Sequence, residues 1–157
     1  MSTRQTLLTE EEANTIIAME KVIVDDIIWK RMDEKACFEF NVPVLLDYPG
    51  KLVLIGTKSF FREKYSFTLL YNNEFRIRGL DVGKGHRNPP DKKQVGKKHK
   101  HKWTDLYKDK WAYVPNDITD GAKVTQALFE FFKECNIIYK GKAIEYPSYQ
   151  YSIDDLT

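Results

Sequence analysis

The chain has 157 residues, of which 42% are hydrophobic and 31% are charged. This length suffices for one hydrophobic core and is short for two ordinary domains, so we expect a single α+β domain over residues 1–157. The formal net charge of +2 excludes a strong overall attraction to nucleic acid or anionic membranes, and no stretch is apolar enough to span a bilayer.

The first predicted element is a helix that begins after Thr9 and runs to about Lys30. Thr9 and Glu12 have the spacing of a capping box, and acidic residues in the first turn suit the helix dipole. Isoleucine and valine residues then recur at three- and four-residue steps, which is typical of one buried helix face.

Strands follow the helix in the prediction. Four runs rich in β-branched and aromatic residues lie around 37–46, 51–57, 63–71 and 74–82. Asn72 and Asn73 tolerate a positive φ, so the last two runs should form an antiparallel hairpin. A fifth strand near 110–115 and a second helix ending near Cys135 complete an antiparallel sheet of about five strands with a helix near each end of the chain.

A basic segment at about 83–102 is predicted to be a long surface loop, because it is rich in glycine, proline and lysine. It contains a single acidic residue, Asp91, while the rest of the chain is net acidic. A loop of this kind can bind the phosphates of nucleic acid, and the alternative is an ordinary solvated loop. Its basic residues are Lys84, Arg87, Lys92, Lys93, Lys97, Lys98, Lys100 and Lys102.

All three histidines of the chain lie in this segment. His99 and His101 project to the same side if the backbone is extended, and His86 reaches the same point if the chain folds back. Three imidazoles and one further ligand suit a zinc ion, here with a structural role. The candidates for the fourth ligand are Asp81, Asp91, Asp105 and Cys37, of which we select Asp81.

The same histidines support a second hypothesis, a metal-independent ribonuclease of the toxin type. Two of them would act as general acid and base, and the basic residues would stabilise the charge that develops on the phosphate. This chemistry requires histidines on opposite sides of the scissile phosphate. A third alternative is that the histidines are solvated loop residues with no site.

Four segments together resemble an uncharacterised family of small proteins from bacterial genomes and prophages: LDVGKGHRNP, KKHKHKW, KWAYVPNDI and a helix ending in FFKECNI. The pattern of the family is H-x-N-P, a variable gap, H-x-H, a strand similar to WAY, and a closing helix, over residues 60 to 137. Pro90 and Asp91 replace the usual Asp-Gly, so the turn differs from the family pattern. The matching residues are His86, Asn88, Pro89, His99 and His101.

The chain also looks like the phage-encoded anti-CRISPR proteins that act on type II effector nucleases, some of which contain zinc. The resemblance implies a non-enzymatic inhibitor that binds the nuclease directly in the host cytoplasm. Cys37 and Cys135 form no closely spaced pair, and the N-terminal segment lacks the apolar core of a signal peptide, which agrees with a cytoplasmic location. Acidic residues along and just after the first helix would form the docking face, the alternative being an ordinary solvated helix face. The docking residues are Glu10, Glu11, Asp25 and Asp26.

Overall fold

The computed structural model describes residues 7–145, so the first six and last twelve residues of the predicted domain lie outside this range. The helices of the described part are α1 (Glu10–Ala18) and α2 (Val124–Glu134), and a 3₁₀ turn covers Asp33–Lys35. The predicted α+β class, with one helix near each end, is confirmed. No helix within residues 7–145 is both long and apolar enough to cross a membrane.

Thirteen strands lie in the described range. They are β1 (Lys21–Ile23), β2 (Ile27–Ile28), β3 (Lys30–Met32), β4 (Cys37–Val44), β5 (Leu52–Ser59), β6 (Tyr65–Tyr71), β7 (Phe75–Val82), β8 (His86–Asn88), β9 (Lys93–Val95), β10 (Lys98–Thr104), β11 (Lys108–Tyr113), β12 (Ile137–Tyr139) and β13 (Ile144–Glu145).

Seven of these strands form one antiparallel sheet in the order β11-β10-β7-β6-β5-β4-β3. The predicted hairpin joins β6 and β7, and Asn72 and Asn73 adopt positive φ angles of 54° and 58° in its turn. The shorter strands form three further pairs, β1 with β12 and β2 with β13 in parallel, and β8 with β9 as an antiparallel hairpin.

The two faces of the large sheet differ in burial. Phe67 and Leu69 on β6 are fully buried, and the Phe67 ring lies 6.0 Å from the Phe131 ring of α2. Ser66 and Thr68 on the same strand are half-buried, because successive residues of a strand point to opposite faces. The sheet therefore has a helix face, which is part of the hydrophobic core, and an open face.

The first helix is shorter than predicted. The capping box is present, since the Glu12 N–H donates to Thr9 Oγ1 at 3.0 Å and the Thr9 N–H donates to Glu12 Oε1 at 2.9 Å. The helix nevertheless ends at Ala18, and the predicted continuation to about residue 30 is wrong. The apolar residues beyond it belong to β1 and β2, where pairing with β12 and β13 overrides the helical spacing of the sequence.

The predicted loop at about 83–102 is also wrong in part, because it contains the β8–β9 hairpin and the first five residues of β10. β10 lies inside the large sheet, between β7 and β11. Its sequence KHKHKWT lacks the alternation of apolar residues that marks a buried strand, since lysine and histidine occupy the alternating positions.

Candidate metal centre

The three histidines converge on the open face of the sheet. His99 and His101 are two residues apart on β10 and share that face, and His86 begins β8 beside them. The ring centroids are 4.6 to 5.5 Å apart, and one nitrogen of each ring lies within 4.8 Å of those of the other two. The structure thus brings together the residues that the sequence predicted to converge.

Of the four candidates for the fourth ligand, Asp81 lies nearest to this cluster. It lies opposite His99 in the β7–β10 ladder. Its Oδ2 atom is 3.3 Å from His99 Nε2 and 3.2 Å from His101 Nε2. Two ligand atoms of a tetrahedral zinc ion, each about 2.0 Å from the metal, are separated by roughly 3.3 Å, so the spacing fits a shared ion.

The other candidate ligands lie elsewhere in the fold. Asp105 accepts a hydrogen bond from the Glu10 N–H at the start of α1, at 2.7 Å. Asp91 accepts one from the Lys93 N–H in the β8–β9 turn, at 3.0 Å. Cys37 is on β4, four strand positions from β10 in the sheet order, which is roughly 19 Å at the usual strand spacing.

Each imidazole uses one nitrogen in a bond to a backbone carbonyl. The bonds are His86 Nε2 to Lys110 O at 2.7 Å, His99 Nδ1 to Gly96 O at 2.9 Å, and His101 Nδ1 to Asp109 O at 2.9 Å. A carbonyl only accepts, so these nitrogens carry a proton, and in a neutral ring the other nitrogen, Nδ1 of His86 or Nε2 of His99 and His101, carries the lone pair. Metal-binding histidines are typically oriented by such bonds.

If the rings of His99 and His101 are neutral, their contact with the carboxylate of Asp81 is electrostatically unfavourable. The Nε2 lone pairs of His99 and His101 then face a carboxylate oxygen, which is repulsive unless a proton or a metal ion lies between them. If the Nε2 atoms are protonated instead, they donate hydrogen bonds to Asp81. Burial alone would raise the pKa of Asp81, but such bonds from His101 and His99, together with the nearby Arg76 guanidinium, hold that pKa well below its usual range. Burial lowers the pKa of His86, which favours the neutral ring that a metal ion requires.

The β8 strand is held in place by Asn88, two residues after His86. The Asn88 side chain donates to Ala112 O at 2.7 Å and accepts from the Ala112 N–H at 2.8 Å. The side-chain amide of Asn88 thus makes the hydrogen bonds that a neighbouring strand would make along the outer edge of β11. His86 bonds to Lys110 O on the same edge. The two-residue H-x-N spacing places the side chains of His86 and Asn88 on one side of β8. This role of Asn88 was not predicted from the sequence, but the spacing is the signal that could have revealed it.

The centre lies at one end of a cleft of about 800 Å³ on the open face. A row of polar residues crosses the sheet from Asp81, with Ser66, Thr57 and Glu39 opposite one another on β6, β5 and β4. The hydroxyls of Thr57 and Ser66 are 2.7 Å apart. The open face therefore offers hydrogen-bonding groups next to the cluster.

Comparison with known proteins identifies a family. A family model matches residues 8–137, a span that includes the histidines, Asp81 and both helices. The chain belongs to DUF6978. That family is described as one of unknown function. No curated protein and no solved structure matches the chain.

The basic residues predicted to form one loop are divided between the two faces of this DUF6978 chain. Lys100, between the two histidines of β10, is fully buried on the helix face, with Nζ 2.7 Å from both carboxylate oxygens of Asp117 and 2.6 Å from Glu134 Oε1. Lys98 is half-buried and pairs with Asp120. Neither belongs to an exposed binding loop. Lys102 is half-buried, and the exposed members are Lys84, Arg87, Lys92, Lys93 and Lys97.

The predicted acidic docking residues do not lie along one helix. Glu10 and Glu11 begin α1, but Asp25 and Asp26 lie between β1 and β2, because α1 ends earlier than predicted. Asp26 Oδ1 accepts a hydrogen bond from the Lys142 N–H at 2.5 Å. Part of the predicted acidic surface of this DUF6978 chain therefore has a role within the fold.

Proposed function

We propose that this DUF6978 protein binds one zinc ion through His86, His99, His101 and Asp81. The observation that supports the proposal is the pair of Nε2 atoms 3.3 Å and 3.2 Å from Asp81 Oδ2, with the opposite nitrogen of each ring bonded to a carbonyl. A cation between these atoms turns a repulsive contact into three attractive ones. Imidazole nitrogen with a single carboxylate suits zinc better than magnesium or calcium, which prefer oxygen ligands.

The ion has a structural role in this proposal. Three histidines and one aspartate fill a tetrahedral coordination sphere and leave no position for a reacting water molecule. The ligands come from three strands, β7, β8 and β10, of which β8 lies outside the large sheet. Zinc would therefore fasten the β8–β9 hairpin to the sheet, with a larger binding energy than the side-chain contacts to β11 alone.

Metal analysis of the protein purified without added zinc tests the proposal. We expect about one zinc ion per chain, with loss of the ion in His99→Ala and Asp81→Ala, since each removes a ligand. Asp91→Ala is the matched control, because Asp91 lies in the β8–β9 turn and should leave the zinc content unchanged. Wild-type protein that fails to retain zinc after loading and dialysis would contradict the proposal.

The same convergence favours a bound ion over a metal-independent ribonuclease. Acid and base must lie on opposite sides of a scissile phosphate, whereas His99 and His101 share one carboxylate oxygen as a neighbour. Incubation with RNA in the presence of a chelator separates the two hypotheses. A ribonuclease keeps cutting under these conditions and loses activity in His99→Ala, and we expect no cleavage by either protein.

Inhibition of a type II CRISPR effector nuclease by direct binding is a further prediction for this protein, as are a phage origin and a cytoplasmic location. It rests on the sequence resemblance. Pull-down with the purified nuclease at low salt, before and after guide loading, tests it. We expect retention that Glu11→Lys and Asp25→Lys weaken, and absence of retention in both states would contradict the prediction.

A further inference from the structure

We propose that the cleft beside the histidine cluster binds a nucleoside phosphate of mononucleotide size. The phosphate would lie among Arg62, Lys64 and Lys84, and the base would lie against Phe61. These four residues, which we name the rim, line the cleft. The inference goes beyond the zinc proposal, because it rests on the charge and shape of the rim and not on the ion.

The rim places unpaired positive charges close together. Arg62 and Lys64 lie in the β5–β6 turn and Lys84 follows β7, and all three side chains are exposed. No carboxylate of the described residues pairs with them. The two segments touch, since a Cβ on Gly83 would lie 2.5 Å from Glu63 O and 3.0 Å from Lys64 Cβ. An anion between them would relieve the repulsion of these like charges and accept charge-assisted hydrogen bonds.

The carboxylates inside the cleft do not offset this charge, because each already has a partner. Glu39 pairs with Lys35 at 3.9 Å, and Asp109 pairs with Arg76 at 3.5 Å. Asp81 lies 3.9 Å from the same Arg76 guanidinium and faces the histidines of the cluster. The net positive charge of the cleft is therefore concentrated at the rim, which favours an anionic ligand over a neutral or cationic one.

The rim also carries an aromatic ring that the fold does not cover. Phe61 is 82% exposed, more than any other large hydrophobic residue of the described range. Its ring meets Phe60 edge to face at 5.7 Å. A nucleobase stacked on an aromatic side chain contributes about 1–3 kcal/mol, so Phe61 supplies a second binding element next to the cations.

The size and the floor of the cleft fit the same ligand class. A volume of about 800 Å³ lies within the usual range for small-molecule sites. The floor presents the hydroxyls of Thr57, Ser59 and Ser66, which can hydrogen-bond to a sugar. From Asp81 to Glu39 the row of polar residues spans three strand spacings, roughly 14 Å, which is about the length of a mononucleotide.

Isothermal titration calorimetry of AMP, adenosine and inorganic phosphate into the full chain tests the inference. We expect saturable binding of AMP, weaker binding of phosphate, which lacks the base, and at least about tenfold weaker binding of adenosine, which lacks the charge. Absence of saturable AMP binding overturns the inference. Equal affinities for AMP and phosphate overturn the assignment to a nucleoside phosphate.

Matched variants locate the binding site. The double variant Lys64→Glu and Lys84→Glu should lower the AMP affinity at least about tenfold, whereas Lys51→Glu, at the other end of β5, should leave it unchanged. Phe61→Ala should weaken binding of AMP but not of phosphate. Its control is Leu106→Ala, an equally exposed apolar residue (74%) that does not line the cleft. AMP affinity unchanged by the double variant overturns the inference.

Zinc content measured on the same samples keeps the two proposals separate. Zinc-loaded protein that does not bind AMP contradicts only the nucleotide inference. Protein that binds AMP through the rim but does not retain zinc contradicts only the zinc proposal.

Discussion

On the helix face of β10, Lys100 is buried between the carboxylates of Asp117 and Glu134, and on the open face of the same strand two histidines meet the carboxylate of Asp81. Both regions place carboxylates next to nitrogen atoms. On the helix face the protein supplies the compensating cation itself. On the open face Asp81 has the Arg76 guanidinium 3.9 Å away, and its nearer neighbours, His99 and His101, compensate its charge only with an added proton or metal ion.

One strand thus carries an ion-pair cluster on one face and, under the zinc proposal, a cation site on the other. Glu134 is also bonded by Arg78 and by the Tyr113 hydroxyl, the latter at 2.8 Å, so one carboxylate connects several members of the helix-face cluster. A connected cluster contributes rigidity, whereas a site that depends on an added cation couples the fold to its surroundings.

Replacement of Lys100 should have the largest effect on the free energy of unfolding. We expect Lys100→Met to lower the free energy of unfolding by about 3 kcal/mol, because it removes the cation of Asp117 and one of the two cations of Glu134. The value lies at the low end for buried pairs because Glu134 keeps Arg78. Urea unfolding measures the change, and Lys102→Met on the same face of β10 is the control, with an expected loss below about 0.5 kcal/mol. Equal losses in both variants would contradict a self-compensated helix face.

The stabilisation of the protein by zinc should be somewhat smaller than the loss caused by replacing Lys100. At a free zinc concentration 100 times the dissociation constant, the free energy of unfolding should rise by about 2.7 kcal/mol relative to protein in chelator. His99→Ala should lose this increase, whereas Lys100→Met should keep it, because Lys100 points to the other face. Paired urea titrations with zinc and with chelator measure both. An increase that persists in His99→Ala would show that zinc binds elsewhere.

The support of β8 gives a third test of the open face. Asn88→Ala should cost about 2 kcal/mol in the free energy of unfolding, because it leaves the buried N–H and C=O of Ala112 without partners. The same variant should weaken zinc binding, since Asn88 positions the strand that carries His86. Arg87→Ala, on the opposite side of β8, is the control for both measurements, and equal zinc affinities in the two variants would contradict the positioning role.

The smallest expected effect belongs to a carboxylate at the exposed edge of α2. Burial raises the pKa of Glu130, but the hydrogen bonds from the Thr119 hydroxyl and N–H and from Gln126 together outweigh it and hold the pKa below its ordinary value of 4.5. The stabilisation is therefore present above pH 4.5 and is lost as the pH falls through the lowered pKa.

Because Glu130 is only half-buried and its hydrogen bonds with Thr119 lie at the surface, we expect Glu130→Gln to cost under about 1 kcal/mol at pH 7 and less at pH 3. Unfolding experiments at the two pH values measure the difference, with Glu74→Gln as the exposed control. A cost that grows on acidification would contradict the assignment.

The residues of the histidine cluster were accessible from the sequence, because their arrangement depends on local geometry. The two-residue spacing of His99 and His101 places both rings on one side of any extended segment. Asp81, near the end of β7, was selectable as the fourth ligand, although only the β7–β10 register places it opposite His99.

Features that depend on distant partners were not predictable in the same way. Lys100 appears to be a surface residue in the sequence, and its partners Asp117 and Glu134 lie 17 and 34 residues away. The end of α1 is likewise set by parallel pairing with β12 and β13, which the helical spacing of the isoleucines does not reveal. Of the rim cations, only Lys84 was predicted, as part of the basic segment, because Arg62 and Lys64 come from a separate turn.

The hydrogen bonds from β8 to β11 have a consequence for self-association. β11 is the terminal strand of the large sheet, and an unoccupied terminal strand can recruit a strand from another molecule. His86 bonds to the carbonyl of Lys110, and Asn88 bonds to the N–H and C=O of Ala112. With these backbone groups occupied, this border of the sheet resists polymerisation between molecules. The sequence that assembles the histidine cluster thus also protects the protein against aggregation along that border.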